Sequence, residues 1–206
     1  MYDVSGFMKE LKQRFSIWYN KNHERYGVFW ADRFKSVLVE GKRFAVEMVA
    51  AYIDLNPVRA GIVNDPKDYR YSGYGEAMGG VDRSRKGLMR AVYEEGDWKG
   101  ALAAYRVLLY GKGGVSQKKG QRIINGELVR EVLKEDGRLS RHEFLKCRIR
   151  YFSNGMILGS KEFVQKCYDE RIDVFDSECR ELNPKKMKGG DWGDLRVFRG
   201  LRKVLD

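Results

Sequence analysis

The segment at residues 42–57 restricts the fold most, because it predicts a helix whose end is set by a proline. Ala45, Tyr52 and Asn56 lie at positions i, i+7 and i+11, so their side chains share one helix face. Pro57 disfavours a helical conformation at the residue before it, which predicts that the helix ends at Asn56. Two interpretations of this face stay open. Either Tyr52 packs in the core while Asn56 caps the turn, or Tyr52 is a nucleophile that Asn56 assists.

The residues before this segment predict another helix and a short strand. Residues 5–24 show the period of an amphipathic helix with large apolar side chains on one face. These side chains are Phe7, Leu11, Phe15 and Trp18. We expect this stripe to pack in the core. Residues 34–41, FKSVLVEG, predict a short strand that a glycine ends.

The following residues predict helices separated by turns. Residues 64–82 are rich in turn-forming residues, and two helices are expected within 84–110, split at Gly96. Residues 111–122 are rich in glycine and lysine, which predicts a linker or mobile loop. A further helix is expected at 126–136.

Two more helices, at 140–152 and 160–170, are joined by the glycine-containing stretch SNGMILG. Ser140 and Ser160 suit their N-cap positions, because a serine hydroxyl accepts hydrogen bonds from the first turn of a helix. Two short helices around a glycine turn indicate a helix-turn-helix. Further on, arginines recur every third residue from Arg196 beside apolar residues, which predicts one basic face and one buried face.

The charge of the chain bears on its partner. The 206 residues include 40 Lys and Arg against 29 Asp and Glu, a formal net charge of +11. This excess favours a polyanionic partner, most simply nucleic acid, and the alternative is a protein that happens to be basic. No apolar run approaches the about 18 residues of a membrane span, so no membrane contact is expected. Three cysteines without zinc-site spacing indicate reduced thiols in a cytoplasm.

Three stretches of the first 78 residues resemble the single-tyrosine HUH transposases, including the REP-associated tyrosine transposases. They are FMKELKQRFSIWYNKNHERYG, FWADRFKSVLVE and YIDLNPVRAGIVNDPKDYRYSGY. The third is the most specific, because its tyrosine, Asn-Pro-Val-Arg-Ala-Gly string, Asp-Pro pair and serine-aromatic turn rarely occur together by chance. Two later stretches, RYFSNGMILGSKEFVQKCYDE and GGDWGDLRVFRGLR, resemble an accessory DNA-binding region of longer family members.

The resemblance implies both a fold and a chemistry. The fold is α+β and predominantly helical, with a truncated ferredoxin-like HUH catalytic domain followed by a helical, helix-turn-helix-like C-terminal region. Family members cut and rejoin single-stranded DNA through a covalent phosphotyrosine, and a divalent metal polarises the phosphate. Carried over, Tyr52 is the nucleophile and Asn56 is a metal ligand for Mg²⁺ or Mn²⁺. A cation would help, because a phenol with a pKa of about 10 is a weak nucleophile at neutral pH.

The family's metal site also needs a His-hydrophobic-His pair, which lies upstream of the helix that holds Phe7. This chain has two histidines, His23 and His142, and no His-x-His string. One oxygen ligand does not hold a hydrated divalent cation. We therefore expect a catalytic domain that is truncated, or whose start is assigned too late, with little strand cleavage and no tight metal binding.

Basic residues near the tyrosine and in the C-terminal helices are candidates for DNA contact, because phosphate contacts dominate affinity for nucleic acid. They are Arg33, Lys35, Arg59, Arg141, Lys146, Arg148, Arg150, Lys161 and Lys166. The alternative for each is a solvated surface charge. Trp30 and Tyr74 are candidates for stacking on unpaired bases, with core packing as the alternative.

The predicted organisation has three parts. Residues 1–78 are the C-terminal part of a catalytic domain, 79–125 a helical connector with a Gly/Lys-rich loop, and 126–206 a helical DNA-binding-like region. Without the central strands, the helices at 5–24 and 42–55 should expose apolar faces unless later residues cover them. Three hypotheses follow: a DNA transposition protein with impaired cleavage, a non-catalytic DNA-binding remnant, and a decayed reading frame. The expected partners are single-stranded or hairpin-bearing DNA and a second copy of the chain.

Overall fold

A computed structural model describes residues 3–32, 34–92, 97–110, 145, 151–152, 155–170, 183–187 and 192–199. The chain forms two compact units, residues 1–36 and 37–206, which we call the N-terminal unit and the main unit. Over the described residues the protein is α+β and mostly helical, with seven α-helices and a small four-stranded mixed sheet. The predicted fold class is confirmed at this level. The three-part division of the chain stays a prediction, as do the ferredoxin-like and helix-turn-helix parts.

The helices and strands have the following bounds. The helices are α1 Val4–Asn22, α2 Arg43–Asp54, α3 Asn56–Arg59, α4 Gly73–Met78, α5 Asp82–Ala91, α6 Trp98–Tyr110 and α7 Lys161–Asp169. The strands are β1 Leu38–Val39, β2 Gly155–Gly159, β3 Lys185–Lys186 and β4 Arg196–Arg199. Among the helices that the structure describes, none is long and apolar enough to cross a membrane.

The N-terminal unit consists of α1 and the loop that follows it. Asp3 caps the helix, because its carboxylate accepts a hydrogen bond of 2.9 Å from the N–H of Ser5. In the loop, Trp30 donates its indole N–H to the carbonyl oxygen of Lys12 at 3.1 Å. This bond ties the loop back to the middle of α1.

The helix predicted at 5–24 is present as α1, but the prediction that its apolar stripe packs in the core is wrong. All 19 residues of α1 are described and none of them is buried. Phe7 and Trp18 are 63% and 55% exposed. Phe15 contacts two loop rings, with centroids 5.2 Å from Phe29 and 5.7 Å from Trp30. Periodicity predicts which face of a helix is apolar, and only the tertiary structure decides whether another element covers that face.

The sheet of the main unit has the strand order β1-β2-β4-β3. β1 pairs in parallel with β2, so that Leu38 lies opposite Ile157 and Val39 opposite Leu158. β4 is antiparallel to both of its neighbours. The strand predicted at 34–41 is therefore present in shorter form, and its partner comes from the far end of the chain.

The prediction of a turn between residues 152 and 160 is wrong, because residues 155–159 form strand β2 inside the sheet. Ile157 and Leu158 are both buried, at successive positions on opposite faces of the strand. A short apolar run between glycines carries no periodicity that identifies a buried strand. The next helix begins where predicted, since the Ser160 hydroxyl accepts a 3.3 Å hydrogen bond from the N–H of Phe163.

Near the C-terminus, where the arginine spacing predicted one basic face and one buried face, residues Arg196–Arg199 form strand β4 instead. Val197 and Phe198 of β4 are both buried, so the strand buries side chains on both of its faces. The helix predicted at 126–136 and most of the helix predicted at 140–152 lie outside the described residues.

The core of the main unit forms where α2 packs against α4, α5 and α6. Met48 of α2, Tyr105 of α6, Leu158 of β2 and Val197 of β4 belong to one buried cluster. The helix predicted at 42–55 is thus covered by later residues. The two helices expected within 84–110 are α5 and α6, and α6 supplies part of this cover.

The helix α2 ends at Asp54, and Asn56 already begins the short helix α3. The predicted non-helical conformation at Asn56 is therefore wrong. Pro57 lies in the first turn of α3, where a backbone N–H has no partner within the helix and a proline is tolerated. Leu55 joins the two helices with a right-handed helical conformation.

Candidate functional site

Tyr52 lies on the last turn of α2 and is 7% exposed. Its side chain belongs to the main core cluster. The Phe152 ring meets it edge-on, with centroids 4.9 Å apart. The guanidinium carbon of Arg59 lies 3.8 Å from the centre of the Tyr52 ring, close enough for a cation–π interaction. The side chain predicted to be a nucleophile is therefore a packed ring, and the guanidinium of Arg59 lies over that ring.

Arg59 joins Tyr52 to Asn56. Its guanidinium donates hydrogen bonds of 2.6 Å to the carbonyl oxygens of Tyr52 and Leu145. It also donates to the side-chain oxygen of Asn56. A guanidinium can do this because it is planar and carries five N–H donors in a fixed fork. Three predicted site residues, Tyr52, Asn56 and Arg59, thus come together where α2 passes into α3.

This arrangement does not fit the predicted metal site. The Asn56 oxygen that would bind Mg²⁺ or Mn²⁺ already accepts a hydrogen bond from Arg59. A divalent cation at that oxygen would lie within a few ångströms of the guanidinium charge, and the two cations would repel each other. Among the described residues, no three or more His, Cys, Asp or Glu side chains form a group that could hold a metal ion. The metal stays a prediction taken from the resemblance.

Arg59 was also predicted to contact DNA phosphates. Its hydrogen bonds to Tyr52, Leu145 and Asn56 show that three of its five donors already have acceptors within the chain. The side chain is half-buried. A phosphate contact by Arg59 would therefore have to use the remaining donors, and it stays a prediction.

The remaining predicted DNA contacts are lysines and arginines in both units. Lys35 is exposed in the N-terminal unit, and its ammonium lies 2.8 Å from the Asp32 carboxylate. Lys161 and Lys166 are exposed on α7, and the Lys166 ammonium lies 3.8 Å from the Glu170 carboxylate. These three charges can meet solvent or a phosphate. The other predicted contacts lie outside the described residues: Arg33, Arg141, Lys146, Arg148 and Arg150.

The sequence did not predict a buried carboxylate at the end of α2. Asp54 accepts a 2.6 Å hydrogen bond from the Tyr105 hydroxyl and a 3.2 Å hydrogen bond from the backbone N–H of Tyr74. Burial raises the pKa of Asp54, although these hydrogen bonds and one from Ser72 act in the opposite direction. The spacing in the sequence indicates this burial, because Asp54 follows Ala51 by three residues and therefore lies on the same buried helix face.

A second buried group surrounds Tyr110, the last residue of α6. Its hydroxyl donates a 2.6 Å hydrogen bond to the Asp65 carboxylate, and the Tyr74 hydroxyl lies 3.3 Å away. The pKa values of Tyr74 and Tyr110 are both raised, and burial is the largest cause. Both phenols therefore stay protonated. Tyr74 is fully buried. Of the two candidates for stacking on bases, Tyr74 therefore packs in the core.

The group around Tyr52 suits packing better than nucleophilic attack. Most of the Tyr52 ring is covered, and Arg59 occupies both its face and the neighbouring Asn56 oxygen. The Arg59 contact nevertheless places a cation beside the tyrosine, where a phosphate would need one. The geometry thus contains features of both alternatives, core packing and nucleophilic attack by Tyr52, and it supports packing better.

Comparison of the chain with protein-family models, curated proteins and solved structures finds no match.

Proposed function

We propose that this chain is a DNA-binding protein related to the single-tyrosine HUH transposases, in which Tyr52 stabilises the fold and cleaves DNA weakly or not at all. One observation supports the second part of this proposal, that Tyr52 stabilises the fold and cleaves DNA weakly or not at all. Arg59 contacts the Tyr52 ring and the Asn56 side-chain oxygen at once, so the proposed nucleophile, which is buried, and the proposed metal ligand, which is exposed, both already have a partner within the chain.

Charge supports the DNA-binding part of the proposal. The net charge of +11 attracts a polyanion, and Lys161 and Lys166 are exposed on α7. The stretches that resemble the transposase family favour DNA with single-stranded or hairpin-bearing ends over other polyanions. A second copy of the chain remains an expected partner.

The binding part is tested by fluorescence anisotropy with labelled single-stranded, hairpin and duplex DNA over a series of salt concentrations. We expect the affinity to fall steeply with salt, with a logarithmic slope of about 0.7 for each phosphate contact on single strands. Lys161→Gln combined with Lys166→Gln should lower this slope. An affinity that does not change with salt, or no binding at low salt, would overturn the proposal.

The cleavage part is tested separately. The protein is incubated with labelled hairpin DNA and manganese, and a denaturing gel is used to detect a covalent protein–DNA adduct. We expect no adduct from the wild-type chain. The second candidate function, strand cleavage through Tyr52, predicts an adduct that disappears in Tyr52→Phe. That result would show that Tyr52 attacks DNA despite its contact with Arg59, and it would overturn this part of the proposal.

A further inference from the structure

A cleft of about 710 Å³ lies inside the N-terminal unit, between the first half of α1 and the loop that follows the helix. Its walls include Lys9 and Lys12 from α1 and Trp30, Asp32 and Phe34 from the loop. Sites for small ligands typically measure about 300–1,000 Å³, so the cleft has room for a nucleotide-sized group.

The aromatic side of the cleft is partly open and held in place. Trp30 is 40% exposed, and the hydrogen bond from its indole N–H to the Lys12 carbonyl oxygen fixes the ring against α1. Phe34 is 36% exposed beside it. An aromatic side chain that a hydrogen bond holds at a protein surface suits stacking on a flat ligand, because little conformational freedom is lost on binding.

The charged side of the cleft is basic. The Lys12 ammonium lies 4.9 Å from the centre of the Trp30 ring and donates a 2.8 Å hydrogen bond to the Asp32 carbonyl oxygen. Lys9 is exposed and has no ion-pair partner in the part of the chain that the structure describes. The Asp32 carboxylate is paired with Lys35 at 2.8 Å. Its negative charge is therefore already balanced.

We propose that this cleft binds an unpaired nucleotide of single-stranded DNA, with the base on Trp30 and Phe34 and a flanking phosphate at Lys9 and Lys12. Aromatic side chains next to lysines are the combination that binds single strands, because every base has a flat face and every nucleotide carries a phosphate. An apolar segment of another protein would use the aromatic side but would gain nothing from two lysines. This inference rests on the proposed DNA binding and assigns a place to it.

The aromatic part is tested with a labelled oligodeoxythymidine by fluorescence anisotropy. Stacking on an aromatic side chain contributes about 1–3 kcal/mol per base, so Trp30→Leu should weaken binding between about fivefold and 150-fold. Trp30→Phe keeps a ring and should lose less. The matched control is Trp18→Leu, because Trp18 is an exposed tryptophan of the same N-terminal unit, on α1, but does not line the cleft. Circular dichroism checks that α1 is intact in each variant.

The charged part is tested by the salt dependence of the same binding reaction. Lys9→Gln should lower the logarithmic salt slope by about 0.7, the value for one phosphate contact on a single strand. Lys21→Gln is the matched control, because Lys21 is exposed on α1 away from the cleft. Since Lys9 is exposed, this variant should fold even if Trp30→Leu does not.

The outcomes separate this inference from the proposed function. If the wild-type chain binds no DNA, both are overturned. If it binds with a steep salt slope but Trp30→Leu and Lys9→Gln bind as the wild type does, the cleft is not the site and the proposed function stands. If Trp18→Leu weakens binding as much as Trp30→Leu, the aromatic surface acts without a defined site, and the inference is overturned.

Discussion

Tyr105 donates a hydrogen bond of 2.6 Å to the carboxylate of Asp54, and both side chains are buried. The bond connects the middle of α6 to the last residue of α2, the helix that holds Tyr52. Burial raises the pKa of Tyr105 well above its usual value, and the adjacent Asp54 acts in the same direction, so the phenol remains a donor. The helix that holds Tyr52 is therefore tied to α6 by a contact between residues that are 51 positions apart.

Replacing Tyr105 with phenylalanine should test the importance of this contact. Tyr105→Phe leaves a buried carboxylate without one of its donors, so we expect the free energy of unfolding to fall by about 1–3 kcal/mol. Urea denaturation measures this change. In the control Tyr71→Phe, the hydroxyl removed is on an exposed ring, and the effect should stay within about 0.5 kcal/mol. Equal effects in the two variants would contradict a special role for the Asp54 contact.

The carboxylate of Glu40 should make folding sensitive to acid. Burial alone would raise the pKa of Glu40, but hydrogen bonds from Ser160 and the nearby Lys42 ammonium lower it overall from its ordinary value of 4.5. A lowered folded pKa means that Glu40 contributes stability above about pH 4.5, which is lost as the pH falls through the folded pKa.

Glu40→Gln should therefore be less stable than the wild type at neutral pH, by about 1–3 kcal/mol, because charge-assisted hydrogen bonds are lost. The difference should shrink as the pH falls below about 4.5. Urea denaturation at several pH values measures it. Glu170→Gln, at an exposed carboxylate, should show less than about 0.5 kcal/mol at any pH. A difference for Glu40→Gln that is constant with pH would rule out this linkage.

Two glycines inside helices should respond in opposite ways to alanine. At Gly75 in α4, a Cβ would overlap the Tyr69 carbonyl group, whose carbon would lie 2.6 Å away. Gly75→Ala should lower the free energy of unfolding by about 1–3 kcal/mol, because backbone atoms must move to make room for the Cβ. At Gly87 in α5 nothing lies within 4 Å of a Cβ, so Gly87→Ala should gain about 0.5–1 kcal/mol. Thermal and urea unfolding measure both, and the same sign in both variants would contradict the packing at Gly75.

Substitutions of Tyr52 distinguish packing from chemistry. Tyr52→Ala removes a buried ring and its contacts with Arg59 and Phe152, so we expect a loss of about 3–5 kcal/mol in the free energy of unfolding. Tyr52→Phe keeps the ring and should change stability by less than about 1 kcal/mol. Urea denaturation compares the two. If Tyr52→Ala is as stable as the wild type, then the ring does not hold α2 in the core.

Arg59 shows why the site could be predicted only in part. The sequence places Tyr52 and Asn56 four residues apart and Arg59 three residues further on, and that spacing brings them to one side of the chain. It does not show that the guanidinium would lie over the ring and hold the asparagine. That outcome also depends on Leu145, which is 86 residues away from Arg59 in sequence. Its carbonyl oxygen accepts a hydrogen bond from the guanidinium.

The sequence by itself determined the elements that form from neighbouring residues. Helical periodicity located α1 and α2, a predicted split within 84–110 agrees with two helices, α5 ending at Ala91 and α6 beginning at Trp98, and a serine hydroxyl set the start of α7. These features follow from hydrogen bonds and side-chain directions within one or two turns, so they can be read from neighbouring residues.

Only the tertiary structure decided which faces are covered and which strands pair. The apolar stripe of α1 is exposed while that of α2 is buried, although both have helical periodicity. Residues 155–159 form a strand rather than a turn because β1 and β4, which are distant in sequence, supply the hydrogen bonds on its two edges. Burial and strand pairing are contacts between distant residues, and the local pattern of a segment does not specify its partner.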